Sequence, residues 1–291
     1  MKILQKLFFL TIICILVVGC SKEKTASKEK GEDKDKNWGI NHVINKNHKP
    51  SEQKIKISIL DSGISKIDEL KNSIVYSYNT FDDTEKTNDK YGHGTMIASI
   101  IASQTKNSKK VSLNPNVEIF DIQVLDEEGK GSVESVVEGI NKSIEKNVDI
   151  INLSIGFSNN NIELQKAVNR AIKKGIIVVA STGNTLGYST DYPAKYEEVI
   201  SVSAIDRENH IYDHAGKGKV DFVAPGVDIP VINNKSQLDY QSGTSFSTAY
   251  ISGIISLYLE DKQDVNLKFL EKKSKKLGKA ETYGHGLLIY K

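Results

Sequence analysis

The chain has 291 residues, of which 38% are hydrophobic and 26% charged, enough apolar material to bury one large core or two ordinary ones. Its formal net charge is only +2, with the lysines scattered rather than gathered into a stripe, so composition gives no support to a nucleic-acid partner. Both cysteines, Cys14 and Cys20, lie near the N-terminus, which leaves the rest of the chain without disulfides, thiolate metal sites or a cysteine nucleophile.

The start reads as an export signal. Lys2 and Lys6 precede the apolar run LFFLTIICILVV, which is shorter than the ~20 residues a membrane span needs. The ending Val17-Val18-Gly19-Cys20 resembles a bacterial lipobox, in which the cysteine is lipidated and becomes the new N-terminus. The alternative is an ordinary signal peptide with an incidental cysteine. Residues 1–19 are therefore read as a lipoprotein signal peptide. Residues 20–37, dense in both charge signs, are read as a disordered tether that holds a domain off the membrane. The location expected is the extracellular face of a bacterial cytoplasmic membrane. No linker interrupts the chain from Trp38 onward, so residues 38–291 are expected to form a single domain.

Within that domain IKISIL (55–60) reads as a buried strand. SVESVVEGINKSIEKN (132–147) places Val133, Val136, Val137, Ile140 and Ile144 on one helical face. VDIINL (148–153) is again strand-like, and IELQKAVNRAIKKG (162–175) is a helix with basic residues in its last turn and Gly175 as the stop. IIVVA (176–180), VISVSA (199–204) and VDFVA (220–224) are further buried strands. Strands alternating with helices of this length predict an α/β fold of three layers, a mostly parallel sheet with helices on both faces. Sites in such sheets gather at the carboxyl ends of the strands.

Three motifs sit at such positions. ILDSGIS (59–65) ends the first strand on Asp61, YGHGTMIASIIAS (91–103) presents His93 between glycines, and SGTSFSTAYISGIISLYL (242–259) presents Ser245 at a helix start. A serine hydroxyl is a weak nucleophile until a base takes its proton, and that base needs a carboxylate to fix its tautomer and stabilise its charge. Asp, His and Ser supply those roles, and a helix start at Ser245 adds N–H groups where an oxyanion would form. Taken singly, an Asp such as Asp61 at a strand end is more often a turn cap, a lone His such as His93 between glycines is more often a surface loop residue, and Ser245 could be an N-cap.

In this order and spacing the motifs resemble those of the subtilisin-like serine peptidases, over essentially all of residues 38–291. The resemblance implies a serine endopeptidase with Asp61, His93 and Ser245 as the catalytic triad. It extends to INLSIG (151–156), VASTGN (179–184), YPAKY, FVAPG and the closing YGHGLL. It implies that Asn184 donates to the oxyanion. It also implies that a peptide or protein substrate lies as an added strand between Gly129-Lys130-Gly131 and Ser154-Ile155-Gly156.

Three departures stand out. Ala249 occupies the place of a usual proline after the nucleophile, and Leu70 and Lys106 stand where calcium-binding relatives place oxygen ligands. Neither side chain can coordinate a hard cation, so no metal is expected at that site, and no cofactor. Few residues separate Cys20 from the first core strand, too few for the family's folded inhibitory propeptide, which directs attention to narrow specificity.

The same resemblance puts Asp191, just before Tyr192-Pro193, at the floor of the pocket for the residue preceding the scissile bond. A carboxylate there favours Arg or Lys; the alternative is a turn cap with its side chain aimed outward. The subclass it most resembles is the leader peptidases of lanthipeptide (lantibiotic) maturation, with an exported lanthipeptide precursor as substrate. A general degradative surface protease and a catalytically silent peptide-binding module remain as alternatives. The protein is expected to be monomeric.

Overall fold

The computed structural model describes residues 37–104 and 111–291. Signal peptide, Cys20, all but the last residue of the tether, and Lys106 lie outside the described residues.

In chain order the elements are helix α1 (Trp38–Val43), strands β1 (Lys56–Asp61) and β2 (Ile74–Asn79), helix α2 (His93–Ala102), strand β3 (Glu118–Gln123) and helix α3 (Val133–Glu145). Strand β4 (Ile150–Leu153), helix α4 (Ile162–Lys173) and strands β5 (Ile177–Ser181), β6 (Ile200–Ile205) and β7 (Phe222–Pro225) follow. The chain closes with a hairpin of β8 (Ile229–Ile232) and β9 (Leu238–Gln241), helices α5 (Thr244–Glu260) and α6 (Leu267–Lys273), strand β10 (Ser274–Lys275), helix α7 (Ala280–Tyr283) and strand β11 (Leu287–Leu288).

A nine-stranded sheet runs in the order β10-β11-β7-β6-β5-β4-β1-β3-β2, parallel throughout except for the β10–β11 pair. Its pleat sends neighbouring side chains into two cores. Ile57, Ile59, Ile119, Ile150 and Val179 pack on the side that holds α2 and α5. Leu60, Ile122, Ile151, Leu153 and Val178 pack on the side that holds α3 and α4. This is the three-layer α/β arrangement that the apolar runs predict, because a sheet covered on both faces needs apolar residues at nearly every position.

Local chemistry sets the helix ends. Ser132 caps α3 by accepting from the Ser135 N–H at 3.1 Å, while the Ser135 hydroxyl accepts from the Ser132 N–H at 3.1 Å. Helix α4 starts at Asn161, whose side chain accepts from Glu163 and Leu164, and it stops before Gly175, which has φ +82°. The face of α3 differs in part from its sequence pattern. Val136 and Ile140 are buried, but Val133, Val137 and Ile144 are only partly so, and Gly139 and Ser143 are buried in their place. A Cβ at Gly139 would lie 2.7 Å from Val124 Cγ1, so the helix sits against the sheet through its smallest residue. Helix α5 is buried nearly all round, as its apolar and small residues require of a central helix.

One interior strand position is costly. Asp121 on β3 is buried, its Oδ2 accepts from the Ser77 and Thr87 hydroxyls, and its Oδ1 has no hydrogen-bond partner among the described residues. Burial pushes this carboxyl up to about 7. The folded protein therefore keeps a proton that the unfolded chain releases between about pH 4 and pH 7, and stability falls as pH rises through that window. Asp121→Asn is expected to stabilise the fold on the order of 1–4 kcal/mol at pH 8 and much less at pH 4. Thermal melts at the two pH values check it, and an equal shift at both would remove the explanation.

Candidate active site

Asp61 is the last residue of β1, at the carboxyl edge of the sheet, and its side chain is buried. His93 Nδ1 donates to both of its oxygens, at 2.8 and 2.9 Å, and the Ser62 N–H donates to Oδ1 at 2.8 Å. Donation from Nδ1 leaves Nε2 as the basic nitrogen of the ring. Burial pulls the imidazole pKa down. The Asp61 charge and hydrogen bond, with a smaller contribution from the Asp89 charge, hold it above its ordinary value on balance.

His93 is the first residue of α2 and follows Gly92, whose φ is +92°. The start of that helix presses on the end of β1: a Cβ at Gly94 would lie 2.2 Å from the Gly63 carbonyl oxygen. The imidazole faces the Phe246 ring at 5.6 Å and the Tyr91 ring at 6.3 Å. It is a mostly buried helix residue and not a surface loop residue.

Ser245 is the second residue of α5, and the N-cap is Gly243, so the N-cap reading of Ser245 does not hold. Its N–H belongs to the first turn, where helix geometry supplies no internal acceptor. Its hydroxyl donates to the Ser154 carbonyl oxygen at 3.4 Å, and among the described residues it makes no hydrogen bond with His93. The Ser154 hydroxyl in turn donates to the Ser245 carbonyl at 3.3 Å and accepts from Asn152 Nδ2, while Ser252 donates to Asn152 Oδ1 at 2.9 Å. These bonds fasten α5 to the end of β4.

Asn184 lies just beyond β5 and is exposed. Its Oδ1 accepts from the Thr244 N–H and hydroxyl, each at 3.2 Å, which fixes the amide and leaves Nδ2 as a donor beside the start of α5.

Gly129, Lys130 and Gly131 close a tight loop in which Asp126 Oδ1 accepts from the Glu128 and Lys130 N–H groups. Gly129 has φ +75°, and a Cβ there would lie 2.6 Å from the Tyr91 ring, so this loop packs on the residue two before His93. Ser154-Ile155-Gly156 continues past the end of β4. Among the described residues, the peptide groups of Gly131, Ile155 and Gly156 make no hydrogen bonds, as edge backbone awaiting another strand would not.

Asp191 is half-buried. Its N–H donates to the Thr182 carbonyl at 3.1 Å, ahead of a cis Tyr192–Pro193 bond and a two-way pairing of Tyr192 with Phe157. A Cβ at Gly156 would lie 2.6 Å from Asp191 Oδ2, and one at Gly183 would lie 2.4 Å from it. The carboxylate therefore occupies space that these two glycines leave open, next to the 154–156 segment and to Asn184. Among the described residues it accepts no hydrogen bond and forms no ion pair, so the turn-cap reading fails. Burial raises its pKa, against a smaller lowering by the Lys195 charge.

Leu70 is fully buried in the hydrophobic core, and the described residues hold no group of three or more His, Cys, Asp or Glu placed to bind a metal. No helix among them is long and apolar enough to cross a membrane. Sequence reasoning passed over Asp89, Tyr91 and Phe246, which surround His93; their signal was only proximity to the His93 and Ser245 motifs.

A sequence model described as "Subtilase family" matches residues 52–280. The chain is 33% identical over 246 residues to minor extracellular protease Epr of Bacillus subtilis (strain 168), covering 81% of this chain and 38% of that protein. It is 33% identical over 205 residues to a thermophilic serine proteinase of Bacillus sp. (strain AK1), covering 69% and 51% of the two chains. With subtilisin Savinase of Lederbergia lenta it shares 30% identity over 260 residues, covering 86% and 96%. The chain thus spans well under two thirds of the first two relatives and nearly all of the third.

Proposed function

The chain belongs to the subtilase family, and from that premise we propose that it is a serine endopeptidase whose triad is Asp61, His93 and Ser245. The observation that carries this reading is the double-contact Asp61–His93 Nδ1 pair at the carboxyl edge of the sheet, with the His93 ring against Phe246 beside Ser245.

The residues act in sequence. The Ser245 hydroxyl turns from the Ser154 carbonyl to His93 Nε2, gives up its proton there, and Oγ attacks the scissile carbonyl carbon. Asp61 stabilises the imidazolium that forms. The oxyanion takes hydrogen bonds from Asn184 Nδ2 and the Ser245 N–H, at the positive end of α5. His93 then gives the proton to the leaving amine as the C–N bond breaks, and water, activated by the same imidazole, releases the acyl group. Substrate pairs as a strand with the unpaired peptide groups of Gly131, Ile155 and Gly156, along the Gly129–Gly131 and Ser154–Gly156 segments. A fluorophosphonate probe tests the assignment. Folded wild-type protein should carry the adduct on Ser245 and His93→Ala should not; an unlabelled wild type would identify a silent peptide-binding module instead.

We further propose that Asp191 selects Arg or Lys before the scissile bond. An unpaired, half-buried carboxylate between two glycines rewards a cation and penalises an apolar occupant that leaves it uncompensated. In a peptide library varied at that position, Asp191→Ser should lower the preference for Arg and Lys over Leu by about tenfold or more. Equal preferences in the two proteins would show that Asp191 does not read the substrate.

Such selectivity fits removal of a leader from an exported lanthipeptide precursor better than general degradation. Digestion of casein at many sites, with no single cut in a precursor peptide, would favour the degradative reading. The Val17–Cys20 pattern supports a mature chain that begins at Cys20 and is anchored there by lipid outside the cytoplasmic membrane, and we propose that this chain is monomeric. A Cys20→Ala chain that still sediments with membranes would argue against the anchor.

A further inference from the structure

Asp89 is a carboxylate behind His93 that the proton relay does not use. It is only 2% exposed, and its two oxygens accept four hydrogen bonds. Oδ1 accepts from the Ser62 hydroxyl at 2.7 Å and from the Gly92 N–H at 2.6 Å. Oδ2 accepts from the Thr95 N–H at 2.9 Å and the Thr95 hydroxyl at 2.5 Å. The Ser62 hydroxyl, held by that bond, itself accepts from the Gly94 N–H at 3.0 Å. The Thr95 hydroxyl accepts from the Ser65 N–H at 2.9 Å.

Three N–H groups that flank His93 in the chain, those of Gly92, Gly94 and Thr95, thus end on Asp89 or on the serine it holds. Ser62 and Ser65 belong to the segment that follows Asp61. One carboxylate therefore ties the backbone on both sides of the imidazole to the strand end that carries its partner. Helix geometry would leave the first-turn N–H groups of α2 without acceptors, so Asp89 serves where an N-cap side chain would, Gly92 having none.

We propose that Asp89 is a positioning residue for His93, clamping the start of α2 onto the end of β1 and supplying a second buried negative charge to the imidazolium formed during catalysis. The proposal rests on the triad reading above. The groups facing His93 are Asp61 from β1, Asp89 and Tyr91 from the loop before α2, and Phe246 from α5; Asp121 on β3 faces Asp89. Burial raises the Asp89 carboxyl, against the pull of its Thr95, Ser62 and Gly92 donors. Its charge acts on His93 in the same direction as that of Asp61.

The test is Asp89→Asn in the full chain, with kcat and KM measured across pH on a peptide substrate. The amide keeps the shape but sets an NH2 against two donors and removes the charge. The expected result is a fall in kcat of about 10- to 100-fold with KM little changed. The acid limb of kcat/KM should move to lower pH by about half a unit or more, since losing a nearby negative charge lowers the imidazole pKa. An acid limb that stays in place, or an unchanged kcat, overturns the proposal. If Asp89→Asn shows no cooperative melting transition, Ser62→Ala removes the bond to Asp89 together with the link to Gly94, leaves the Gly92 and Thr95 bonds in place, and should lower kcat several-fold; an unchanged kcat there also overturns it. A wild-type protein that takes no fluorophosphonate at Ser245 would defeat the triad reading itself, separately from either result.

Discussion

Ser245→Ala is expected to lower kcat by about a millionfold, the order known for the equivalent loss in subtilisin itself, a relative of this chain. The size follows from the nucleophilic role proposed for the hydroxyl. Without Oγ no acyl-enzyme forms, and hydrolysis must proceed by direct attack of water, with only the oxyanion donors and bound geometry to assist. His93→Ala should cost about as much, and the double variant little more, because nucleophile and base act as one unit and their losses do not add. The fold should be almost indifferent. Ser245 sits inside the first turn of α5, where alanine is favourable, and the bond it loses to the Ser154 carbonyl is long at 3.4 Å. A stability change under ~1 kcal/mol is expected. Single-turnover kinetics on a fluorogenic peptide, with a thermal melt of each variant, measure both quantities. A variant that keeps more than about a thousandth of wild-type kcat would mean that another nucleophile does the work.

The parts of the fold nearest the site were also those most legible in the sequence, for a physical reason. Strands β1, β4 and β5 are covered on both faces, so they read as mostly apolar runs, broken only by small or amide side chains such as Ser58 and Asn152, and the motifs at their carboxyl ends fall where parallel sheets place sites. Strands β2 and β3 carry Ser77, Asp121 and Gln123, polar side chains whose burial depends on distant groups. The Gln123 carbonyl oxygen of the side chain accepts from the Asn88 N–H, and Asp121 meets Thr87 and Ser77. No local pattern announces such partners.

Asp89 was hidden the same way, since its anchor Ser62 lies 27 residues away. For Asp191 the sequence left two directions open to the side chain. Gly156 and Gly183, on different segments, provide the space, and the absence of any backbone donor to the carboxylate among the described residues removes the turn cap. Ser245 likewise looked able to cap its helix until Gly243 proved to hold that place.

Asn184→Ala is expected to lower kcat by about 10²- to 10³-fold with little change in KM, again on the scale measured for a subtilisin. The split between the two constants follows from timing. A ground-state carbonyl is a weak acceptor, and in the proposed binding mode it is held mainly by the strand pairing at Gly131, Ile155 and Gly156. The donor matters once the oxygen carries charge. The Asn184 amide is prepared for this, because the Thr244 N–H and hydroxyl both end on its Oδ1 and hold Nδ2 in place without reorganisation during the reaction. Asn184→Asp should be worse than alanine. It replaces the donor with an acceptor and sets a negative charge beside the oxyanion, although the same two Thr244 donors would still hold the side chain in place. Steady-state kinetics on one peptide substrate compare the two variants. If aspartate equals or exceeds alanine in kcat, the oxyanion does not form beside this residue, and the start of α5 stabilises it through the Ser245 N–H alone.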